Sequence, residues 1–231
     1  MTFVEQAVDE SPEPEFFHSD TQARDLTTHG ELALDDDGKF LGLRIRHLYS
    51  CGTHGAVWAP LSIGVRLITS LYDIPAAHLL ARAMLTNTVP TGTYRGAGRP
   101  EAIFNLERLI DRAAQVTDLD RIEIRRRNLI GPGAFPYLSP MKIPYDCGEF
   151  ETIMDKCLEL ADWASFGERR KAAEAQGKLL GIGLANYIQT PTGALTEWTS
   201  VEVTSDETVE IIIGTDSSGQ GHETSFAQAI S

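Results

Sequence analysis

Between residues 39 and 48 apolar and polar positions alternate, with Leu41, Leu43, Ile45 and His47 on one side. A period of two predicts a half-buried strand. Residues 31–34 precede it across Asp35-Asp36-Asp37-Gly38, and an Asp-Gly step between two such runs predicts a hairpin. The period then lengthens. Over 100–116, Ala102, Ile103, Leu106, Leu109, Ile110 and Ala113 hold helical spacing. A second helix is expected from about Asp118, as N-cap, to Ile130, where Gly131-Pro132-Gly133 stops it. A third spans 149–163, with Phe150, Ile153, Met154, Cys157, Leu158 and Ala161 on one face, and a charged helix over 168–176 ends at Gly177. Residues 50–80 read as helical or irregular around 63–71 and again before Ala81, while Pro136, Pro140 and Pro144 mark an extended connection. Beyond that the character turns to β: 179–189, 196–204 and 208–213 are strand-like, the last two joined through Ser205-Asp206-Glu207. Strands and helices alternate without regular βαβ units, so the expected class is α+β.

Composition narrows the function classes. A formal charge of −13 over 231 residues argues against a nucleic-acid partner. Arg125-Arg126-Arg127 reads as a helix face paired with carboxylates. No apolar run approaches the ~20 residues of a membrane span, and the acidic first 20 residues lack the basic start of a signal peptide, so a cytoplasmic location is expected. Cys51, Cys147 and Cys157 lack zinc or iron–sulfur spacing; Cys157 is expected in the core and Cys147 in a loop. His47 and His54 have no second ligand at metal spacing and read as ordinary histidines. Residues 1–30 form an acidic N-terminal segment expected to be poorly ordered, or to pack on a preceding element. A first domain is expected over 31–164, a linker over 165–178 and a second domain over 179–231.

Two loops carry candidate chemistry. In Thr91-Gly92-Thr93-Tyr94-Arg95-Gly96-Ala97-Gly98-Arg99-Pro100-Glu101-Ala102, three glycines and two arginines run into a helix start marked by Pro100 and Glu101. A basic, glycine-rich loop at a helix N-terminus suits a phosphate-bearing ligand. The same features also describe an ordinary tight connection. The spacing G-x-x-x-G-x-G is neither a dinucleotide fingerprint nor a Walker loop. After the last strand, Gly214-Thr215-Asp216-Ser217-Ser218-Gly219-Gln220-Gly221-His222-Glu223-Thr224 repeats the sequence of strand, glycine loop and helix start. Gln220, His222 and Thr224 there could hold phosphate oxygens or a polar ring edge, unless the loop is simply a turn.

Thr86-Asn87-Thr88 followed by the loop from Tyr94 to Ala102 resembles the molybdenum-binding large subunits of the xanthine oxidase family, on the carbon monoxide dehydrogenase-like and aldehyde oxidoreductase-like side. Glu107-Arg108-Leu109-Ile110-Asp111, Arg125-Arg126-Arg127-Asn128-Leu129-Ile130 and Gly219-Gln220-Gly221-His222-Glu223-Thr224 match in the same order, so the resemblance covers residues 12–231. It implies parts of two α+β domains that bind molybdopterin with molybdenum, in the cytosine dinucleotide form common in bacteria. The activity implied is oxidative hydroxylation of an electron-poor carbon with water as oxygen source and a glutamate as base. Electrons would leave through an iron–sulfur subunit carrying [2Fe–2S] and a flavin subunit carrying FAD, in a homodimer of heterotrimers.

The resemblance places Tyr94, Arg95, Gly96, Ala97 and Gly98 beside the metal centre, and Gly219, Gln220, Gly221, His222 and Thr224 on the pterin and its phosphate. Gly96 stands where copper-containing relatives carry a cysteine, which argues against carbon monoxide as substrate. Ala97 stands where purine oxidisers carry a stacking aromatic, which favours an aldehyde or small heterocycle. The family's earlier Gly-Gly-Gly-Phe-Gly type loop and the late segment with the catalytic glutamate are not found. No residue is therefore assigned as catalytic or as a metal ligand, and the chain reads as an internal piece needing the remainder of the large subunit for activity. The alternative is a non-enzymatic remnant or a carrier of the pterin dinucleotide.

Overall fold

Strand β2 (Phe40–Ser50) is the middle of a three-stranded sheet, antiparallel to β1 (Leu26–Leu34) and parallel to β3 (Ala77–Met84). In this computed structural model the described residues are 21–54, 59–94, 96–189, 196–206, 208–215, 219 and 221–230. They fall into two units dividing between Gln189 and Thr190. Helices and strands are mixed without regular βαβ units, so the class is α+β.

In the first unit, the β1–β2 turn is built as its sequence suggests. Asp35 Oδ1 accepts from the backbone N–H of Asp37 and Lys39, and Gly38 takes a φ of +79°. The expected buried face of β2 is corrected at one position. Leu43, Ile45, His47 and Tyr49 point inward, but Leu41 is 50% exposed and Phe40 is buried instead. The pairing slips between Ala33 and Leu34, making Leu41 the extra residue of a bulge, and one extra residue reverses the phase of a strand.

Helix α1 (Ala59–Gly64) and a 3-10 turn (Val65–Leu67) lead to the buried Ile68, Leu71, Tyr72 and Ile74. Helix α2 (Arg99–Thr117) lays Ala102, Leu106, Ile110, Ala113 and Ala114 into the same core as Leu43 and Ile45, the stripe its periodicity predicts. Strand β3 is a departure. Its sequence, AHLLARAM, is made of good helix formers, yet eight residues pair with β2. Tertiary pairing overrides propensity here.

Asp118 is not the cap of the next helix. It ends α2 in the left-handed region, and Asp120 caps α3 (Arg121–Asn128), its Oδ1 accepting from Ile122 N at 2.8 Å and Glu123 N at 3.0 Å. Helix α4 (Phe150–Leu160) buries only Met154, with Phe150 packed on the core; Ile153 is 61% exposed and Cys157 is exposed, not in the core. Helix α5 (Phe166–Glu174) buries no residue. Residues 179–189 do not form the expected strand. They carry no regular secondary structure; the Leu184 carbonyl accepts from Arg125 Nη2 at 3.4 Å and Ile188 packs on the core.

The arginine triplet pairs with carboxylates as expected. Arg125, fully buried, meets Glu107 Oε2 through Nε at 2.9 Å and Nη2 at 2.8 Å, and Asp111 Oδ1 at 2.9 Å. Tyr72 donates its hydroxyl to Glu107 Oε1 at 2.6 Å. Burial pushes the Glu107 carboxyl up against the opposing pull of Arg125 and Tyr72. Asn128 ties α3 to the hairpin, accepting from Phe40 N at 2.8 Å and donating to the Gly38 carbonyl at 2.9 Å.

The second unit pairs β4 (Thr199–Val203) antiparallel with β5 (Val209–Ile213) and continues to α6 (His222–Ile230). Thr204, Asp206 and Thr208 bond to one another across the connection. Among the described residues no helix is long and apolar enough to cross a membrane.

Candidate functional site

Parallel strands β2 and β3 end side by side, Ser50 opposite Met84. The loops that follow stay zipped: Cys51 N donates to Met84 O at 2.8 Å, Thr86 N to Gly52 O at 3.0 Å and Thr53 N to Thr88 O at 3.1 Å. Gly52 is required for this, because a Cβ on it would sit 2.3 Å from the Val89 carbonyl oxygen at a φ of +72°. The hydroxyls of Ser50, Thr86 and Thr88 form a row, at 2.8 Å and 2.9 Å. The carboxyl ends of adjacent parallel strands are where open sheets place ligands.

From that edge the chain passes through Tyr94, 50% exposed, into a turn with three successive left-handed residues: Gly96 (φ +96°), Ala97 (φ +49°) and Gly98 (φ +88°). Ala97 N donates to Tyr94 O at 2.8 Å and Arg99 N to Gly96 O at 3.1 Å, closing the turn onto the start of α2. The turn is braced on two sides. A Cβ on Gly96 would come within 2.7 Å of the Pro100 ring, and one on Gly64 within 2.2 Å of the Gly98 carbonyl oxygen. Holding an alanine left-handed costs about 1–2 kcal/mol, and such strain persists where packing enforces it, commonly at ligand clamps. The N-terminal end of the 19-residue α2 adds a field that favours an anion.

Beneath the turn lies a polar chain. Asn105 Nδ2 donates to Thr28 Oγ1 at 3.0 Å, and the Thr28 hydroxyl shares a hydrogen bond with His47 Nδ1 at 2.9 Å. Burial holds His47 below the ordinary histidine value. The Tyr49 phenol is pushed up to about 12 by burial, with the Glu101 charge adding to it. Arg24 places its guanidinium 4.7 Å from the Tyr94 ring centroid and 3.8 Å from Glu101 Oε1. Arg24, Thr28, Pro100, Glu101, Phe104 and Asn105 line a cleft of about 630 Å³.

In the second unit, Gly219 (φ +97°) and Gly221 (φ +73°) precede α6, and Thr224 N and Ser225 N donate to the Gly221 carbonyl at 3.1 Å and 3.0 Å. The His222 ring stacks on Phe226 at 4.7 Å, and its Nδ1 is buried without a hydrogen-bond partner. A buried polar atom left unpaired costs about 1–3 kcal/mol, so a ligand or water is expected to meet it.

Tyr94, Gly96, Ala97 and Gly98 thus stand together in one turn, and Gly219, Gly221, His222 and Thr224 at the head of another helix. Arg95 and Gln220 lie outside the described residues. Arg24, Gly52 and Gly64 emerge only from the coordinates. The glycine inside the apolar run of 61–68 was the one signal available for Gly64; nothing local marked Arg24. Among the described residues no group of three or more His, Cys, Asp or Glu side chains could hold a metal ion. The fit to a pterin cofactor is to its polar and anionic groups. Bare turns at two helix starts suit phosphate and ring edges, and the orphaned His222 Nδ1 suits a polar partner.

Comparison with known proteins agrees with this chemistry. Two molybdopterin cofactor-binding domain families match, one over residues 12–129 and the other over 156–231. The carbon monoxide dehydrogenase large chain of Hydrogenophaga pseudoflava is 34% identical over 90% of this chain and 28% of its own length. Subunit gamma of the 6-hydroxypseudooxynicotine dehydrogenase complex of Paenarthrobacter nicotinovorans is 32% identical over 94% of this chain and 28% of its own. The crystal structure of quinoline 2-oxidoreductase from Pseudomonas putida 86 superposes with a TM-score of 0.83 at 32% identity, covering 93% of this chain and 29% of that one. The chain therefore spans less than a third of the length of these relatives. Its fold and these matches together establish that it belongs to the molybdopterin cofactor-binding large subunits of the xanthine oxidase family of molybdenum hydroxylases, on the carbon monoxide dehydrogenase-like side.

Proposed function

We propose that this chain forms part of the cofactor cradle of a molybdenum hydroxylase that oxidises an aldehyde or small heterocycle with water as the oxygen source. The observation that carries the reading is the left-handed turn Gly96-Ala97-Gly98, braced by Gly64 and Pro100 at the head of α2, within a matched molybdopterin-binding domain. When bound, the cofactor supplies the redox centre at which oxygen is delivered and electrons are collected. The residues of this chain bind and orient it. Tyr94, Arg95, Gly96, Ala97 and Gly98 would face the metal end, while Gly219, Gln220, Gly221, His222 and Thr224 would hold the pterin and its phosphate, in the cytosine dinucleotide form. Electrons would pass to an iron–sulfur subunit with [2Fe–2S] and a flavin subunit with FAD, in a cytoplasmic homodimer of heterotrimers. The remainder of the large subunit would supply the catalytic glutamate, so the chain alone is expected to be inactive. We place the domains at 31–164 and 179–231, joined by 165–178.

Two features of the turn support this substrate class. A side chain at Gly96 would strike Pro100, so no thiolate can occupy that position without moving the helix start, which argues against carbon monoxide. Ala97, buried and carrying only a methyl, offers no stacking surface to a purine.

The test is to co-produce the chain with large-subunit flanks and with the two electron-transfer partners. The expected result is one molybdenum per complex by elemental mass spectrometry and aldehyde- or heterocycle-dependent dye reduction. A well-folded complex that contains neither would sink the reading. Uptake of the pterin dinucleotide without turnover in that complex would instead favour the carrier alternative.

A further inference from the structure

A short stretch ahead of β1 is laid along the approach to the Tyr94 turn. Gln22 N donates to Pro90 O at 3.0 Å and Gly92 N to Gln22 O at 2.8 Å, a parallel bridge, and Gln22 Nε2 reaches Thr88 Oγ1 at 3.3 Å. The bare backbone of Gly92 lets this strap lie flat, since a Cβ there would be 2.5 Å from Thr21 Oγ1. Two residues on, Arg24 adopts a φ of +65°, uncommon for a residue with a side chain. Its guanidinium lies both over the Tyr94 ring, at 4.7 Å, and beside Glu101 Oε1, at 3.8 Å. Tyr94 opens the turn and Glu101 lies in the first turn of α2 that closes it. The Glu101 side chain is only 10% exposed and its Oε2 is buried with no hydrogen-bond partner. A carboxylate that cannot turn to water depends on the cation facing it.

We propose that Arg24 is a positioning residue for the candidate cofactor turn: by bracing Tyr94 and Glu101 with one guanidinium, it presents Tyr94 and the turn Gly96-Ala97-Gly98 to the ligand already in their binding conformation. A single exposed cation–aromatic contact would be too weak to fix a loop. Here the contact is shared with a buried carboxylate, and its base is tied down by the Gln22 bridge. The inference rests on the cofactor reading only for the identity of the ligand.

The full chain labelled with 3-fluorotyrosine tests it, the Tyr94 line being assigned by Tyr94→Phe. Arg24→Met should move the Tyr94 fluorine line toward the position of free fluorotyrosine while the other five of the six tyrosine lines hold. Arg24→Lys should return it part of the way, and Glu101→Gln should move it less than Arg24→Met does. Titration with molybdopterin cytosine dinucleotide should show several-fold weaker uptake by Arg24→Met than by the wild type. A Tyr94 line in Arg24→Met that superimposes on the wild type overturns the proposal. If that variant does not fold, unmoved lines in both Arg24→Lys and Glu101→Gln overturn it, and moved lines support it. Equal uptake despite a moved line also overturns it. A wild-type chain that takes up no cofactor by itself, while its Tyr94 line still answers to Arg24, supports the bracing role and leaves the cofactor reading to the complex with the large-subunit flanks.

Discussion

The Glu107–Arg125 cluster, where Arg125 reaches from α3 to the middle of α2, and the Gly96–Gly98 turn at the head of α2 both lie within one matched molybdopterin-binding domain, yet they do opposite work. Around Arg125 the charges are buried and partnered by Glu107, Asp111 and Tyr72. At the head of the same helix, backbone is held in left-handed conformations, Tyr94 is half exposed, and Glu101 keeps a buried oxygen without a hydrogen bond. One motif satisfies its polar groups internally; the other leaves them for something else. A recurring motif thus marks either the frame or the site, and hydrogen-bond satisfaction separates the two.

The largest effect should come from breaking the frame. Arg125→Met leaves Glu107 buried and facing Tyr72 without its cation, which should cost about 3–5 kcal/mol in urea denaturation. Far-UV circular dichroism would follow the loss. A cost below about 1 kcal/mol would mean that the cluster is solvated and that the contrast drawn here is wrong.

Next is the brace between frame and turn. Gly64→Ala adds a methyl that would meet the Gly98 carbonyl at 2.2 Å, backbone against backbone, where nothing flexible can yield. Alanine favours the helix by up to about 1 kcal/mol, but overpacking of this kind costs about 1–3 kcal/mol, so the clash wins. The variant should lose stability and cofactor uptake together. Unchanged uptake with lowered stability would detach the turn from the site.

How much of this contrast could be read in the chain itself follows from what makes each part. The α2 stripe, the Asp-Gly hairpin and the glycine turn are encoded by residues adjacent in sequence, and they were legible. Strand β3 was not, because AHLLARAM prefers a helix and only the neighbouring β2 makes it a strand. Leu41 pointed the wrong way because one extra residue in a bulge reverses all that follows. Cys157 reads as a core residue because helix α4 has an apolar face, but Met154 is the residue of that face the fold buries, and Cys157 is exposed. In the site, Gly96 to Gly98 announced themselves. Arg24 could not, since its meaning lies in a ring 70 positions away in the sequence and the carboxylate seven further on.

A pH series probes the layer between frame and turn. Burial lowers the His47 value in the fold, so the neutral ring is favoured and its contribution is complete above the unfolded value of about 6.5. As pH falls through the folded value, the fold must charge a buried ring or open, and stability is lost. The slope should not exceed about 1.4 kcal/mol per pH unit. His47→Gln, whose amide can still bond Thr28 in either direction, should flatten the curve between pH 7 and pH 5. An unchanged slope would move the acid sensitivity elsewhere.

The smallest effect tests whether burial, rather than charge type, sets the contrast. Arg126 adjoins Arg125 in α3 and makes two ion pairs, with Glu151 at 2.5 Å and Asp155 at 2.5 Å, which raise its already high value further. By bond count it rivals its neighbour. Its side chain is 33% exposed, however, and the two carboxylates are 53% and 50% exposed, so water replaces what a substitution removes. Arg126→Met should therefore cost no more than about 1 kcal/mol and should weaken further as an effect when salt is added. Measured beside Arg125→Met under the same urea conditions, it isolates burial as the variable, because helix, residue type and partner type are all held constant. Equal costs for the two would make the number of ion pairs, not their desolvation, the quantity that holds α3 in place.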